Sequence, residues 1–142
     1  MLNLKKAIYS KLTGSLLTAD IGGRFYDTQA PEGAEYPYVV YMIVSDVPEK
    51  TFTEDFENIL IQFSLFSATP NDSTEIETMF GHMKTLFDEC AMTIPPTGAE
   101  TDTLVWMKRS NATLMIEDHT TPAGTIQVWH YAVDYEVMTS LN

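Results

Sequence analysis

The side chains with reactive chemistry in this chain are three histidines, one cysteine and a few short runs of carboxylates. His82 falls in a helical stretch, His119 in a polar segment and His130 in a segment of alternating polarity. His130 and Asp134 stand four apart on one face of that segment, the arrangement of two metal ligands, but the spacing supplies no third. A polar row facing solvent accounts for the same pair and is the stronger reading. Asp118-His119 lies in a segment read as a turn, where an aspartate commonly bonds its own backbone. A hydrolase built on His119 or His130 would need partners that the spacing does not offer.

Cys90 follows Asp88 and Glu89, whose charges raise a thiol pKa, the opposite of what a nucleophile needs. It reads as a packed, inert cysteine. The runs Glu54-Asp55-Glu57 and Glu117-Asp118 suggest acid/base pairs or calcium, yet no EF-hand spacing is present and acids beside turns are usually just solvated. G-x-S-x-G, a P-loop, G-x-G-x-x-G and H-E-x-x-H are all missing. The expectation is therefore no catalytic residue, no metal and no cofactor.

The chain has 142 residues, 44% of them hydrophobic and 20% charged, which suits one globular domain over 1–142. Twenty acidic residues against eight basic ones leave a formal charge of −12. Lys5-Lys6 and Lys108-Arg109 are the only adjacent basic pairs, so specific nucleic-acid binding is disfavoured. No apolar run reaches the roughly 20 residues that span a bilayer, and Met1–Lys6 lacks the continuous apolar core of a signal peptide. A single cysteine fits a reducing cytoplasm.

Leu4, Ile8, Leu12 and Leu16 recur every fourth residue and predict one helix from Leu2 to about Leu17, weakened at Gly14. Residues Thr28–Glu35 read as a loop. Tyr38–Val47 is almost continuously apolar, a strand covered on both faces or buried between subunits. A polar connection, Pro48–Asp55, leads to Phe56–Ser67, where Ile59, Ile61, Phe63 and Leu65 alternate with polar residues. Thr74 with Glu77, or Asp72 with Glu75, forms a capping box for a second helix bearing Ile76, Met79, Phe80, Met83, Leu86 and Phe87. Gly81 on its far side suggests a close approach.

After Pro95-Pro96-Thr97-Gly98, Thr103–Ile116 is β-prone with a bulge expected near Ser110-Asn111. Glu117–Gly124 reads as a turn, and Thr125–Met138 alternates. The order α-β-β-α-β-β predicts an α+β domain: a mostly antiparallel sheet of about four or five strands with two helices packed on one face. Met42, Leu60, Phe66, Trp106, Trp129, Tyr131 and Tyr135 exceed what two helices can cover, which favours a homo-oligomer with sealed strand edges.

One stretch carries more than patterning. In Ala19-Asp20-Ile21-Gly22-Gly23-Arg24-Phe25-Tyr26-Asp27 the paired glycines stop a helix. In Tyr36-Pro37-Tyr38-Val39-Val40-Tyr41, Pro37 holds Tyr36 extended and opens a strand. This order, helix, Gly-Gly-Arg-aromatic, then Tyr-Pro into a hydrophobic strand, resembles the tail-terminator (tail-completion, tail-to-head joining) proteins of long-tailed bacteriophages. The resemblance implies a non-enzymatic virion subunit, assembled in the host cytoplasm into a homohexameric ring at the head-proximal end of the tail tube. DNA would pass through its lumen. The partners implied are copies of itself, the tail tube protein and a head connector or stopper protein. Tyr36-Pro37-Tyr38 would be structural, and the long connections would make the ring, tube or connector contacts. That puts Pro48, Glu49, Lys50, Phe52, Glu117, Asp118, His119 and Pro122 at interfaces, with Glu54, Asp55 and Glu57 as an acidic lumen along which DNA slides. A minor capsid or neck (head-completion) protein, or a small ligand-binding or regulatory module, is the alternative.

Overall fold

The computed structural model describes residues 2–96 and 102–141. Its elements, in order, are α1 (Leu2–Leu12), α2 (Leu16–Ile21), β1 (Phe25–Asp27), β2 (Tyr38–Lys50), β3 (Asp55–Ser67), α3 (Thr74–Phe87), β4 (Asp102–Thr121) and β5 (Gly124–Leu141). The five strands form one sheet in the order β1-β2-β3-β5-β4. β1 runs parallel to β2, and every other pairing is antiparallel. The expected α+β architecture is present.

The alternation within each strand sets the two faces. Val39 and Tyr41, then Ile59, Ile61, Phe63 and Leu65, then Val133, Tyr135 and Val137 are buried in one core with the helices. The rings interlock: Phe25 stacks on Tyr41 at 4.9 Å, Phe63 on Phe87 at 5.1 Å, and Tyr135 meets Phe63 edge-on at 5.7 Å. α3 lays Ile76, Met79, Phe80, Met83 and Phe87 into this core, each contributing about 1.5–3 kcal/mol of gross transfer free energy. Of the seven large side chains suspected of exceeding the cover, Tyr135 is fully buried in the core, and Tyr131 and Trp129 pack against it. Register puts Met42, Leu60, Phe66 and Trp106 on the opposite, open face.

Five expectations require correction. The single N-terminal helix breaks at Gly14, which takes φ +74°; Ser15 then caps α2 by accepting from Thr18 N at 3.1 Å. Leu16 leaves the stripe as a result and is 65% exposed. The polar connection shortens from Pro48–Asp55 to residues 51–54, because Pro48, Glu49 and Lys50 pair with Glu57, Phe56 and Asp55. The supposed turn Glu117–Gly124 contracts to Pro122-Ala123, since β4 runs on to Thr121. Thr74 is the first helical residue rather than the cap: Asp72 accepts from its backbone N–H at 2.9 Å, while Glu75 accepts from Ser67 Oγ at 2.7 Å. No close approach occurs at Gly81, where an added Cβ would meet nothing within 4 Å. The bulge near Ser110 is present, with a second between Leu104 and Trp106.

Candidate functional site

The two sequence segments that carry the resemblance meet in space. Gly22 and Gly23 take φ of +59° and +76°, conformations that suit glycine, and the Gly22 N–H caps α2 on Ala19 O. The chain then turns so that Arg24 lies across the Tyr36-Pro37 backbone. Its Nε donates to Pro37 O at 3.0 Å, its Nη2 donates to Tyr36 O at 3.5 Å, and Glu35 lies 3.9 Å from Nη1. The Val39 N–H donates to Arg24 O at 3.0 Å, which starts the parallel β1–β2 pairing. The Tyr36–Pro37 peptide is cis.

From this clamp Tyr36 reaches the open face of the sheet, where the histidines of β4 and β5 converge. His119 Nδ1 lies 2.6 Å from the Tyr36 hydroxyl, and its Nε2 lies 3.1 Å from Glu117 Oε2. His130 Nδ1 lies 2.6 Å from Glu117 Oε1. An ionised carboxylate only accepts, so both imidazoles donate to Glu117, and in the neutral ring this leaves His119 Nδ1 to accept the Tyr36 O–H. Phe66 stacks on His130 at 4.3 Å, Tyr38 lies on Phe66 at 4.9 Å, and Tyr36 lies on Tyr38 at 5.1 Å. Burial pushes the Glu117 carboxyl up, but the bonds from His130 and His119 outweigh it and hold the carboxyl below its ordinary value. Burial, then the neighbouring Tyr36, pushes Tyr38 up to about 12.

This chain of bonds is a clasp. It fastens the loop before β2 to the β4–β5 hairpin, beside a cleft of about 650 Å³ lined by residues that include Glu32, Tyr36, His119 and Pro122. Its polar atoms are used on each other, except His130 Nε2, which is buried without a partner. Sequence patterning misses it because Glu117–Gly124 reads as a turn. Period-two alternation continued through Glu117 and His119 would have put both on the face of His130. His130 is accordingly held against Phe66 rather than standing in a solvent row, and Asp134 instead accepts from Gln62 Nε2 at 3.0 Å. The His82 Nδ1 is hydrogen-bonded to the Asp20 carboxylate and ties α3 to α2. Cys90 packs on Met107 at 3.8 Å, and burial raises its thiol. Among the described residues no group of three or more His, Cys, Asp or Glu side chains is placed to hold a metal ion. No described helix is long and apolar enough to cross a membrane.

The remaining expected site residues fall into two groups at opposite ends of the sheet. Pro48, Glu49 and Lys50 end β2, Phe52 tops the turn fully exposed, and Glu54, Asp55 and Glu57 return on its far side. Burial, and then Asp46, raise the Glu57 carboxyl. Glu117, Asp118 and His119 end β4, with Pro122 in the next turn. β5 runs from one group to the other, roughly 55 Å at 3.3 Å per residue. One subunit therefore cannot present both groups to a single small contact.

The family model for Tail completion protein gp17 matches residues 6–140. A chain from the virion of a native gene transfer agent particle is 13% identical with a TM-score of 0.67, covering 96% of this chain and 94% of that one. A second solved chain is 14% identical with a TM-score of 0.54, covering 95% and 93%. At these identities the two likenesses establish a shared fold. No curated protein matches the sequence. The fold, the clamped Gly-Gly-Arg and Tyr-Pro segments and the family match over nearly the whole length agree: this chain belongs to the tail completion protein gp17 family.

Proposed function

We propose that this chain caps the phage tail tube and joins tail to head as a ring of identical subunits with DNA passing through its lumen. The family match carries the structural, virion-assembly part of the reading, and the fold shared with a chain of a gene transfer agent virion supports it. The ring is argued from the sheet edges. Among the described residues β4 lies at one edge, where the Glu89 N–H donates to Met107 O, and β1 covers only Val39–Tyr41 of β2 at the other. Long open edges invite pairing with another chain, and joining unlike edges of identical subunits closes a ring.

In this reading the ring is a hexamer, and its subunits meet the tail tube protein and a head connector or stopper protein. The Glu117, Asp118, His119 and Pro122 end, fixed by the clasp, meets one of these neighbours. Glu54, Asp55 and Glu57 face the lumen, where carboxylates repel the DNA backbone and let it slide. The net charge of −12 accords with such a passage. The subunit does no chemistry: the clasp's bonds are satisfied internally and serve to hold shape. Negative-stain microscopy of lysates from a parental phage carrying a stop codon in this gene tests the role. Full heads beside unjoined tails of irregular length are expected; normal infectious particles would overturn it.

A further inference from the structure

We infer that the open edge of β2 in one copy docks in a cleft beside β4 of the next copy. This inference rests on the ring reading and names its seam. Beyond β1 the outer edge of β2 has no paired strand from Met42 to Lys50 among the described residues, and Val44 and Val47 stand 48% and 53% exposed along that stretch. At the opposite edge the segment after α3 folds back, with the Glu89 N–H donating to Met107 O at 2.9 Å. Between the two lies a cleft of about 350 Å³ lined by Glu89, Cys90, Val105, Trp106, Met107 and Lys108. Val105, at the bulge, is 47% exposed.

Three observations make a second copy the occupant. First, the features lie at one height: Val47 pairs with Asn58, Asn58 with Met138 and Met138 with Trp106, so Val47 and Trp106 end the same row on the same face. Ser45 and Lys108 end another such row through Leu60 and Glu136. A neighbour related by rotation alone, with the strands along the ring axis, brings those row ends together without an axial shift. Second, β2 and β4 run in opposite directions, because three antiparallel pairings separate them. The seam therefore continues the antiparallel sense of the sheet. Third, Asp46 and Glu49 follow Val44 on the β2 edge, while Lys108 rises over the Trp106 ring at 4.3 Å in the facing cleft. Asp46 and Glu49 outnumber Lys50 on the β2 edge, and Lys108, beside Glu89 in the facing cleft, is the cation they can meet, whereas DNA and anionic lipid would be repelled by that edge.

Cysteine cross-linking in purified tails tests the seam, with Val47→Cys and Val105→Cys combined in a Cys90→Ser background. Strands side by side lie within disulfide reach. With copper–phenanthroline as oxidant, the double variant is expected to give a ladder of covalent oligomers that ends at the ring's copy number. Neither single variant should give one, because each seam needs one residue from each edge. Four results overturn the inference: dimers from Val47→Cys alone, a cross-link to a different virion protein, the same ladder from a pair moved to the β5 face, or no cross-link although the chain is detected in the tails. A chain missing from the tails altogether would instead refute the assembly role on which the seam rests.

Discussion

Replacing Glu117 with glutamine should loosen the clasp without changing its volume. The carboxylate accepts from His119 at 3.1 Å and His130 at 2.6 Å, and its side chain is 33% exposed. A glutamine offers one acceptor and one donor, so one imidazole N–H faces an N–H. Shifting the His130 proton to Nε2 would relieve that clash but bury the proton where no partner exists. Hydrogen bonds to a charged group are worth about 1.5–3 kcal/mol each, and partial exposure reduces the sum to about 1–3 kcal/mol. For a domain of this size that is a melting temperature lower by roughly 3–10 °C, read by circular dichroism at pH 7. The folded Glu117 pKa lies below its ordinary 4.5. Its contribution is therefore fully present above about that pH and disappears as the pH falls through the lowered folded value. The gap between wild type and Glu117→Gln should narrow as the pH falls below the ordinary 4.5. A variant melting within a degree of wild type at pH 7, or a gap that does not narrow as the pH falls below 4.5, would refute this assignment of the clasp.

Tyr36→Phe removes only the hydroxyl bonded to His119 and should cost about 0.5–1.5 kcal/mol. In a double-mutant cycle with Glu117→Gln the two losses should be non-additive, and strict additivity would show that the bonds do not form one unit. Arg24→Ala frees the carbonyls of Tyr36 and Pro37; urea titration should show a loss of about 1–2 kcal/mol, and an unchanged midpoint would contradict the clamp. Tyr135→Phe leaves Asp88 with Arg109 as its side-chain partner among the described residues, since the fully buried Tyr135 O–H donates to Asp88 at 2.5 Å. It should destabilise by about 1–2 kcal/mol and remove a phenol that ionises above the ordinary 10 in an ultraviolet titration, chiefly because of burial. Phe63→Ala empties the centre of the ring cluster and should cost about 3–5 kcal/mol, whereas Leu60→Ala, on the open face of the same strand, should cost far less.

The core was legible in the sequence because burial on one sheet face writes period two into β3 and β5, and α3 writes a helical period. Ile59 to Leu65, Val133 to Val137 and Ile76 to Phe87 face where patterning puts them. Patterning failed where polar residues lie in regular structure. Pro48-Glu49-Lys50 and Glu117–Thr121 resemble loops in composition, yet both lie in long hairpins whose pairing supplies their order. β1 escaped notice because only residues Phe25–Asp27 form it and its partner comes from Val39–Tyr41, a contact set by the Arg24 clamp. The clasp was invisible for a related reason: its four side chains come from sequence positions up to 94 residues apart, Tyr36 to His130, and register alone brings them together.

Reconstitution tests the central claim most directly. Tails and full heads purified separately from the stop-codon phage would be mixed with and without the purified full chain, then scored by plaque titre and microscopy. The account predicts that the chain binds one end of each tail and restores joined, infectious particles. Heads and tails that join equally well without the chain, or a chain that binds neither, would contradict it.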